Sequence, residues 1–249
     1  FSIPGTPGYQ AGALKIPSGA IQGQNVILAL QAMTAHVAHI TDFDALPRPF
    51  KAVATDIVTG EMVVLEQGNL AVALRASMGV PAIFAPIEID GRLLVDGGIT
   101  NNLPVGLAQE MGAEVLIVVD ITSPMLPRED LGNLLTITDQ LTRLLVVNNT
   151  KAQKARLNDR DILLIPDLEA FSAVSFSTAA MAIKVGEETI AAQQQALIPL
   201  MQSQEAYLAV TKPIAPAPKI DAIKLVNETT LADAVLRQRV FTKVGDRFG

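Results

Sequence analysis

The chain is expected to adopt an α/β fold, a mixed sheet covered by helices, and three stretches carry that expectation. Ile87-Glu88-Ile89 and Arg92-Leu93-Leu94-Val95 flank Asp90-Gly91, a dipeptide suited to the left-handed angles of a type I′ hairpin turn. Pro104 then pre-sets the first turn of a short helix that stops near Gly112. Glu114 to Asp120 follows as a β-branched, nearly unbroken apolar run, the pattern of a buried strand. With 249 residues there is room for one large α/β domain, or one domain and a fragment.

Taken in order, residues 1–24 are rich in Gly, Pro and Ser and read as turns. Asn25 is expected to cap a helix running to about Ile40, because Val26, Ile27, Leu30, Met33, Val37 and Ile40 recur at three-to-four spacing. Residues 50–56 and 61–65 form two short apolar runs around a Gly-containing turn, a second hairpin signal. Beyond the opening hairpin, helix and strand, Leu131, Leu134, Leu135, Leu141, Leu144 and Leu145 trace a long helix to about Leu157. Asp161 to Pro166 returns as a strand ended by proline, and a last helix is expected over roughly Thr178–Ala209. The prolines of residues 211–219 make a stiff linker, separating residues 1–210 from residues 220–249. In the latter, Ile220 to Val226 alternates like a half-buried strand and Thr230 is placed to cap a helix from Leu231. So short a piece is too small for its own core, so it is expected to be the beginning of a further module.

Composition closes off several functions. The chain is 49% hydrophobic with a mean hydropathy of +0.35, yet its apolar runs fall far short of the roughly 18 residues that span a bilayer. A net charge of −6 with 19 scattered basic residues gives no footprint for nucleic acid. Without cysteine there are no disulfides, thiolate chemistry or Cys-based zinc sites. His36 and His39 are the only histidines; spacing of three puts them on one helix face, and without an HExxH pattern they read as a solvated or capping pair rather than metal ligands. No metal and no cofactor is expected. The chain opens at Phe1 without an initiator Met or a signal segment, which suggests a processed product or part of something longer.

The chemistry converges on Asp96. An aspartate ending a core strand and followed by Gly97 and Gly98 is held by the strand, while the glycines permit a tight turn and close approach of another backbone or a ligand. Asp-Gly-Gly alone is weak, since these residues dominate ordinary turns. Its surroundings are more specific: Leu74 to Pro86 through Arg75-Ala76-Ser77-Met78-Gly79-Val80-Pro81, then Asp90 to Val105 through Val95-Asp96-Gly97-Gly98, then Met111-Gly112-Ala113. This block resembles the bacterial branch of the patatin-like phospholipase family. Phe50 to Asp56, Thr59-Gly60-Glu61, Ile165-Pro166-Asp167 and Ala182 to Glu187 extend the likeness over roughly residues 10–205.

The resemblance implies a three-layer α/β/α domain that hydrolyses acyl esters of phospholipids or other lipids by a Ser–Asp dyad, meeting the membrane surface through its substrate. Asp96 matches the family's catalytic aspartate, in the motif Asp96, Gly97, Gly98. A serine hydroxyl needs a base to take its proton and an oxyanion hole for the charge that develops. Aspartate near pKa 4 is a weak base at neutral pH, so burial must raise it. The family's glycine-rich oxyanion loop and Gly-x-Ser-x-Gly elbow are not among these residues; the eight serines include no such elbow. Both are expected in an N-terminal segment of the same protein, upstream of Phe1. The nearest match, Ala-x-Ser-x-Gly at Ser77, lies only nineteen positions before Asp96 and reads instead as a helix end. Asp56 and Asp120 read as strand-end caps, and Asp42 and Asp44 lack calcium-loop spacing. Asn101 and Asn102 are expected to bond the turn after Gly98.

A second likeness lies at the far end. Ile220 to Thr230, with Val244-Gly245-Asp246-Arg247-Phe248, is similar to the start of a POTRA domain. Patatin followed by POTRA implies an outer-membrane autotransporter (type Vd secretion) and export to the surface or outside of a Gram-negative cell; otherwise the protein is cytoplasmic. Two alternatives stay open, a non-catalytic lipid-binding domain and an export or assembly component of the same architecture. Oligomeric state is not readable from the sequence.

Overall fold

The computed structural model describes residues 8–10, 13–15, 19–21, 23–171, 178–210, 216–226 and 243–247. Three short strands come first, β1 (Gly8–Gln10), β2 (Ala13–Lys15) and β3 (Gly19–Ile21), followed by helix α1 (Gln24–Thr34). Next are β4 (Ala52–Asp56), β5 (Met62–Leu65), α2 (Leu70–Ser77), β6 (Ala82–Phe84), β7 (Ile87–Ile89) and β8 (Arg92–Asp96). The rest runs α3 (Gly98–Asn101), α4 (Val105–Glu110), β9 (Ile117–Val119), α5 (Leu134–Lys154), β10 (Ile162–Leu164), α6 (Ala179–Ala192), α7 (Gln194–Leu197) and α8 (Gln204–Val210).

Four strands form an antiparallel sheet in the order β5-β4-β8-β7. All five residues of β4 are buried, as the small and apolar Ala-Val-Ala run of a central strand demands. Helices α2 and α3 pack on β4, and α1 packs on α2. Phe43, Ala54, Ala76 and Leu94 meet in the core between them. Burying a side chain the size of Phe43 or Leu94 contributes roughly 1.5–3 kcal/mol. The hairpin at Asp90-Gly91 forms as expected, with φ of 51° and 74° at its two central residues. The strands are both parallel and antiparallel, but among the described residues they form four separate sheets rather than one: β9 pairs with β10 in parallel, as does β3 with β6.

Several boundaries differ from those expected. Helix α1 begins after Gly23 rather than at an Asn25 cap, because Gly23 has a φ of 78° and lies against the Arg75 guanidinium. A Cβ at Gly23 would stand 2.4 Å from Arg75 Nε. Helix α1 stops at Thr34, whose hydroxyl bonds the Leu30 carbonyl, so His36 falls in a short 3-10 turn at Ala35–Val37 and the two histidines do not share one helix face. The run expected as a buried strand pairs only over Ile117–Val119, with Ile117 and Val119 exposed. The last long helix is broken twice, at Gln193 and at the turn Ile198–Leu200 that holds Pro199. Residues 220–226 form no strand; Lys219 makes an isolated bridge with Arg247. The helix start at Thr230 and part of the Pro-rich linker lie outside the described residues. No helix among the described residues is long and apolar enough to cross a membrane.

Candidate active site

Asp96 ends β8, paired opposite Ala54 of the buried strand β4. Its backbone is fixed on both sides. The Asp96 N–H donates to the Gly79 carbonyl at 3.0 Å, and the Thr55 hydroxyl donates to the Asp96 carbonyl at 2.9 Å. Thr55 is buried, and its hydroxyl also meets that of Thr100 at 3.0 Å, which ties the strand to the turn that follows.

The two glycines have separate reasons to be glycine. A Cβ on Gly97 would lie 2.1 Å from the Val53 carbonyl oxygen, so the turn runs directly against β4. A Cβ on Gly98 would lie 2.9 Å from Asn102 Oδ1 and 3.0 Å from Asp96 Oδ1. With that space open, the Gly98 N–H donates to Asp96 Oδ1 at 2.7 Å. Burial raises the Asp96 carboxyl above its ordinary value, and the Gly98 bond draws it part of the way back. A cavity of about 410 Å³ opens beside it, lined by Leu30, Phe50, Leu74, Ser77 and Met78 together with Asp96. Walls that are mainly apolar, with Lys51, Asn101 and Asn102 as polar groups among them, suit a raised carboxyl acting as proton acceptor on a largely apolar substrate.

Ser77 is the last residue of α2, the helix end expected of it, and its carbonyl accepts the Gly97 N–H at 3.3 Å. It shares the Asp96 cavity, but the hydrogen bond to the Asp96 carboxyl comes from Gly98. Arg75, two residues earlier, is 2% exposed; its Nη2 donates to the Ala85 carbonyl at 2.8 Å and its guanidinium lies 4.5 Å over the Phe84 ring. Burial lowers its pKa, and its Nε and Nη1 find no hydrogen-bond partner among the described residues.

The asparagines after the turn divide their work. The Asn101 N–H bonds the Gly97 carbonyl at 2.8 Å, as expected, while its amide group turns to Met62 Sδ. The Asn102 side chain leaves the turn and donates to the Thr122 and Thr150 hydroxyls. Asn149 of α5, which the sequence reading missed, donates to the Gly98 and Ile99 carbonyls at 2.8 and 3.1 Å and accepts from the Asn102 N–H at 2.9 Å. The polar triplet Asn148-Asn149-Thr150 inside a leucine-rich helix was the available signal.

The other aspartates cap structure. Asp56 Oδ1 accepts from the Val58 N–H, and Asp42 Oδ1 from the Asp44 N–H. Asp120, 4% exposed, pairs with Lys154 and accepts from the Thr122 N–H at 2.9 Å. Burial works to raise Asp120, but the Lys154 and Thr122 bonds outweigh it and hold the carboxyl below its ordinary value. A depressed carboxyl contributes stability that is present above the unfolded value near 3.8 and is lost as pH falls through the folded one. Lys154→Met is expected to cost about 2–3 kcal/mol at pH 7, because it leaves Asp120 buried without its partner. Urea unfolding should show that cost shrinking as Asp120 protonates; a variant as stable as its parent at pH 7 would assign the pair no net contribution.

Residues 11–108, which include Asp96, Gly97 and Gly98, match the family model described as Patatin-like phospholipase. The sequence likeness is supported over that stretch; β9, α5 and everything after them lie beyond it. An uncharacterized NTE family protein of Mycobacterium tuberculosis is 36% identical over 104 residues, 42% of this chain and 28% of the relative. A second one from that organism is 36% identical over 93 residues, 37% of this chain and 16% of its own length. The patatin-like phospholipase domain-containing protein 7 of Mus musculus is 43% identical over 77 residues, 30% of this chain and 6% of the relative. The chain thus matches under a third of the length of each.

Proposed function

We propose that Asp96 is the general base of a serine hydrolase acting on lipid acyl esters, phospholipids among them, through a Ser–Asp dyad. One observation carries this reading: a half-buried carboxyl, raised by burial, lines a mainly apolar cavity and is held at the end of a core strand by Thr55, Gly79 and Gly98. The family match over residues 11–108 and the name of the mouse relative support the substrate class.

In this reading the serine and its oxyanion donors come from a segment of the same polypeptide outside residues 1–249. The serine oxygen attacks the ester carbonyl carbon while its proton passes to Asp96. Backbone N–H groups of the oxyanion loop take the charge on the carbonyl oxygen. As the acyl–oxygen bond breaks, Asp96 returns the proton to the leaving alcohol, and water later releases the acyl group by the same route. A raised carboxyl serves this better than an ordinary one, since a base of higher pKa holds the transferred proton more firmly.

The test is a fluorophosphonate probe on the full-length protein with turnover of a p-nitrophenyl ester. Labelling of one serine together with ester hydrolysis supports the dyad; absence of both would leave the cavity as a lipid-binding site. Export through an outer membrane is part of the proposal on the POTRA-like residues 220–249 alone, and protease accessibility of the protein on intact cells checks it.

A further inference from the structure

The turn that carries Asp96 holds itself only at Gly97, whose carbonyl accepts from the Thr100 and Asn101 N–H groups. Helix α3 is a single turn of four residues, too short to satisfy its own backbone, so its carbonyls need donors from elsewhere. All of the Asn149 amide is spent there: Nδ2 donates to the Gly98 and Ile99 carbonyls, and Oδ1 accepts from the Asn102 N–H. Gly98 is also the residue whose N–H holds Asp96 Oδ1. The group gripped by Asn149 and the group that grips the carboxyl therefore flank one Cα, that of Gly98.

The helix around Asn149 is built for this contact. Gln153, one turn on, accepts the Gly106 N–H at 3.1 Å, and Arg156 beyond it exchanges bonds with Gln109 at 3.4 Å. Positions 149 and 153 fall on one face at i, i+4 spacing, Arg156 follows just past the helix end, and this polar side receives α3 and α4. Meanwhile Leu134, Leu135 and Leu141 of the same helix are exposed.

We infer that Asn149 is a positioning residue of the Asp96 site, an amide clamp from α5 that fixes the Gly98 N–H on the carboxyl. This role rests on the reading of Asp96 as the base, but its physical content is measurable without any activity. Losing the clamp frees the Gly98 carbonyl and loosens the residue whose N–H meets Asp96, which weakens the hydrogen bond that draws the carboxyl down.

The experiment compares Asn149→Ala with Leu164→Ala in the 249-residue chain. Leu164 is a buried residue of β10 whose truncation lowers stability without touching the turn. Carboxyl carbon NMR, assigned with Asp96→Asn, reads the Asp96 midpoint, and hydrogen exchange reads the Gly98 amide. Asn149→Ala should move the midpoint upward and speed Gly98 exchange about tenfold, the scale of one lost net hydrogen bond. Leu164→Ala should lower Tm and leave the midpoint in place. An unmoved midpoint in Asn149→Ala, with Tm lowered as in Leu164→Ala, would reduce Asn149 to a packing residue and overturn the inference. Should the alanine variant fail to fold, Asn149→Asp keeps the shape and the bond from the Asn102 N–H but loses both donations, and Gly98 exchange alone decides. Turnover by full-length Asp96→Asn would overturn the dyad while leaving these readouts intact, so the two failures are distinct.

Discussion

Asp96→Asn in the full-length protein is expected to lower hydrolysis of a short-chain p-nitrophenyl ester by about 10³-fold, the scale of a general base removed from its reaction. The amide has the shape of the carboxyl and keeps an oxygen for the Gly98 N–H at 2.7 Å, so the turn survives while the proton acceptor is lost. Stability should move the opposite way. A carboxyl raised by burial contributes stability that is fully present below the unfolded value near 3.8 and is lost as pH rises through the folded one. At neutral pH the ionised Asp96 therefore costs stability, and the variant should melt higher than its parent, with the gap closing toward pH 3. In the parent, hydrolysis should fall with acidity through a midpoint above the usual carboxylate range. Near-normal turnover by the variant would remove Asp96 from the chemistry; a lower Tm at neutral pH would contradict its electrostatic setting.

Gly97→Ala is expected to cost roughly 3 kcal/mol or more, the upper end for overpacking, because no rotamer relieves a Cβ clash. The added methyl would stand 2.1 Å from the Val53 carbonyl oxygen and 2.5 Å from its carbon, both in the fully buried strand β4. Either β8 or β4 must give way, and both belong to the four-stranded sheet. Gly186→Ala is the contrast: with nothing within 4 Å and a place inside α6, it should stabilise by about 0.5–1 kcal/mol. Denaturant midpoints of the two variants check both signs, and a Gly97→Ala chain as stable as its parent would show that the turn is not closed against β4.

Much of the frame around Asp96 was legible because its signals are local. The Asp90-Gly91 turn and the hairpin of β4 and β5 follow from residue types that choose backbone angles or alternate across a sheet. The Asp-Gly-Gly motif was likewise visible, and its two glycines have the close approaches that such a motif suggests. What failed were inferences from hydrophobic pattern to burial. Leu134, Leu135 and Leu141 correctly marked a helix, but the docked face of α5 is polar and carries Asn149 and Gln153. Ile117 and Val119 read as a buried strand and are exposed. Thr55 and Asn149 act through partners 41 to 51 residues away, and periodicity within a short window holds no information at that range. Gly23 as the start of α1 was hidden for the same reason, since its constraint is the side chain of Arg75.

The separation of Asn149 from the turn it grips also sets an order of events in folding. Gly98 and Asn149 stand 51 positions apart in the chain, and Asn102 stands 47 from the same side chain. Contacts so distant in sequence are closed only after a large loop has lost its entropy, whereas the β7–β8 hairpin that carries Asp96 is local and can form early. The carboxyl therefore reaches its strand before the amide that steadies its turn arrives. A nascent chain that ends between Asp96 and Asn149 would hold the aspartate but not its clamp, so the site acquires its final geometry late, when α5 docks.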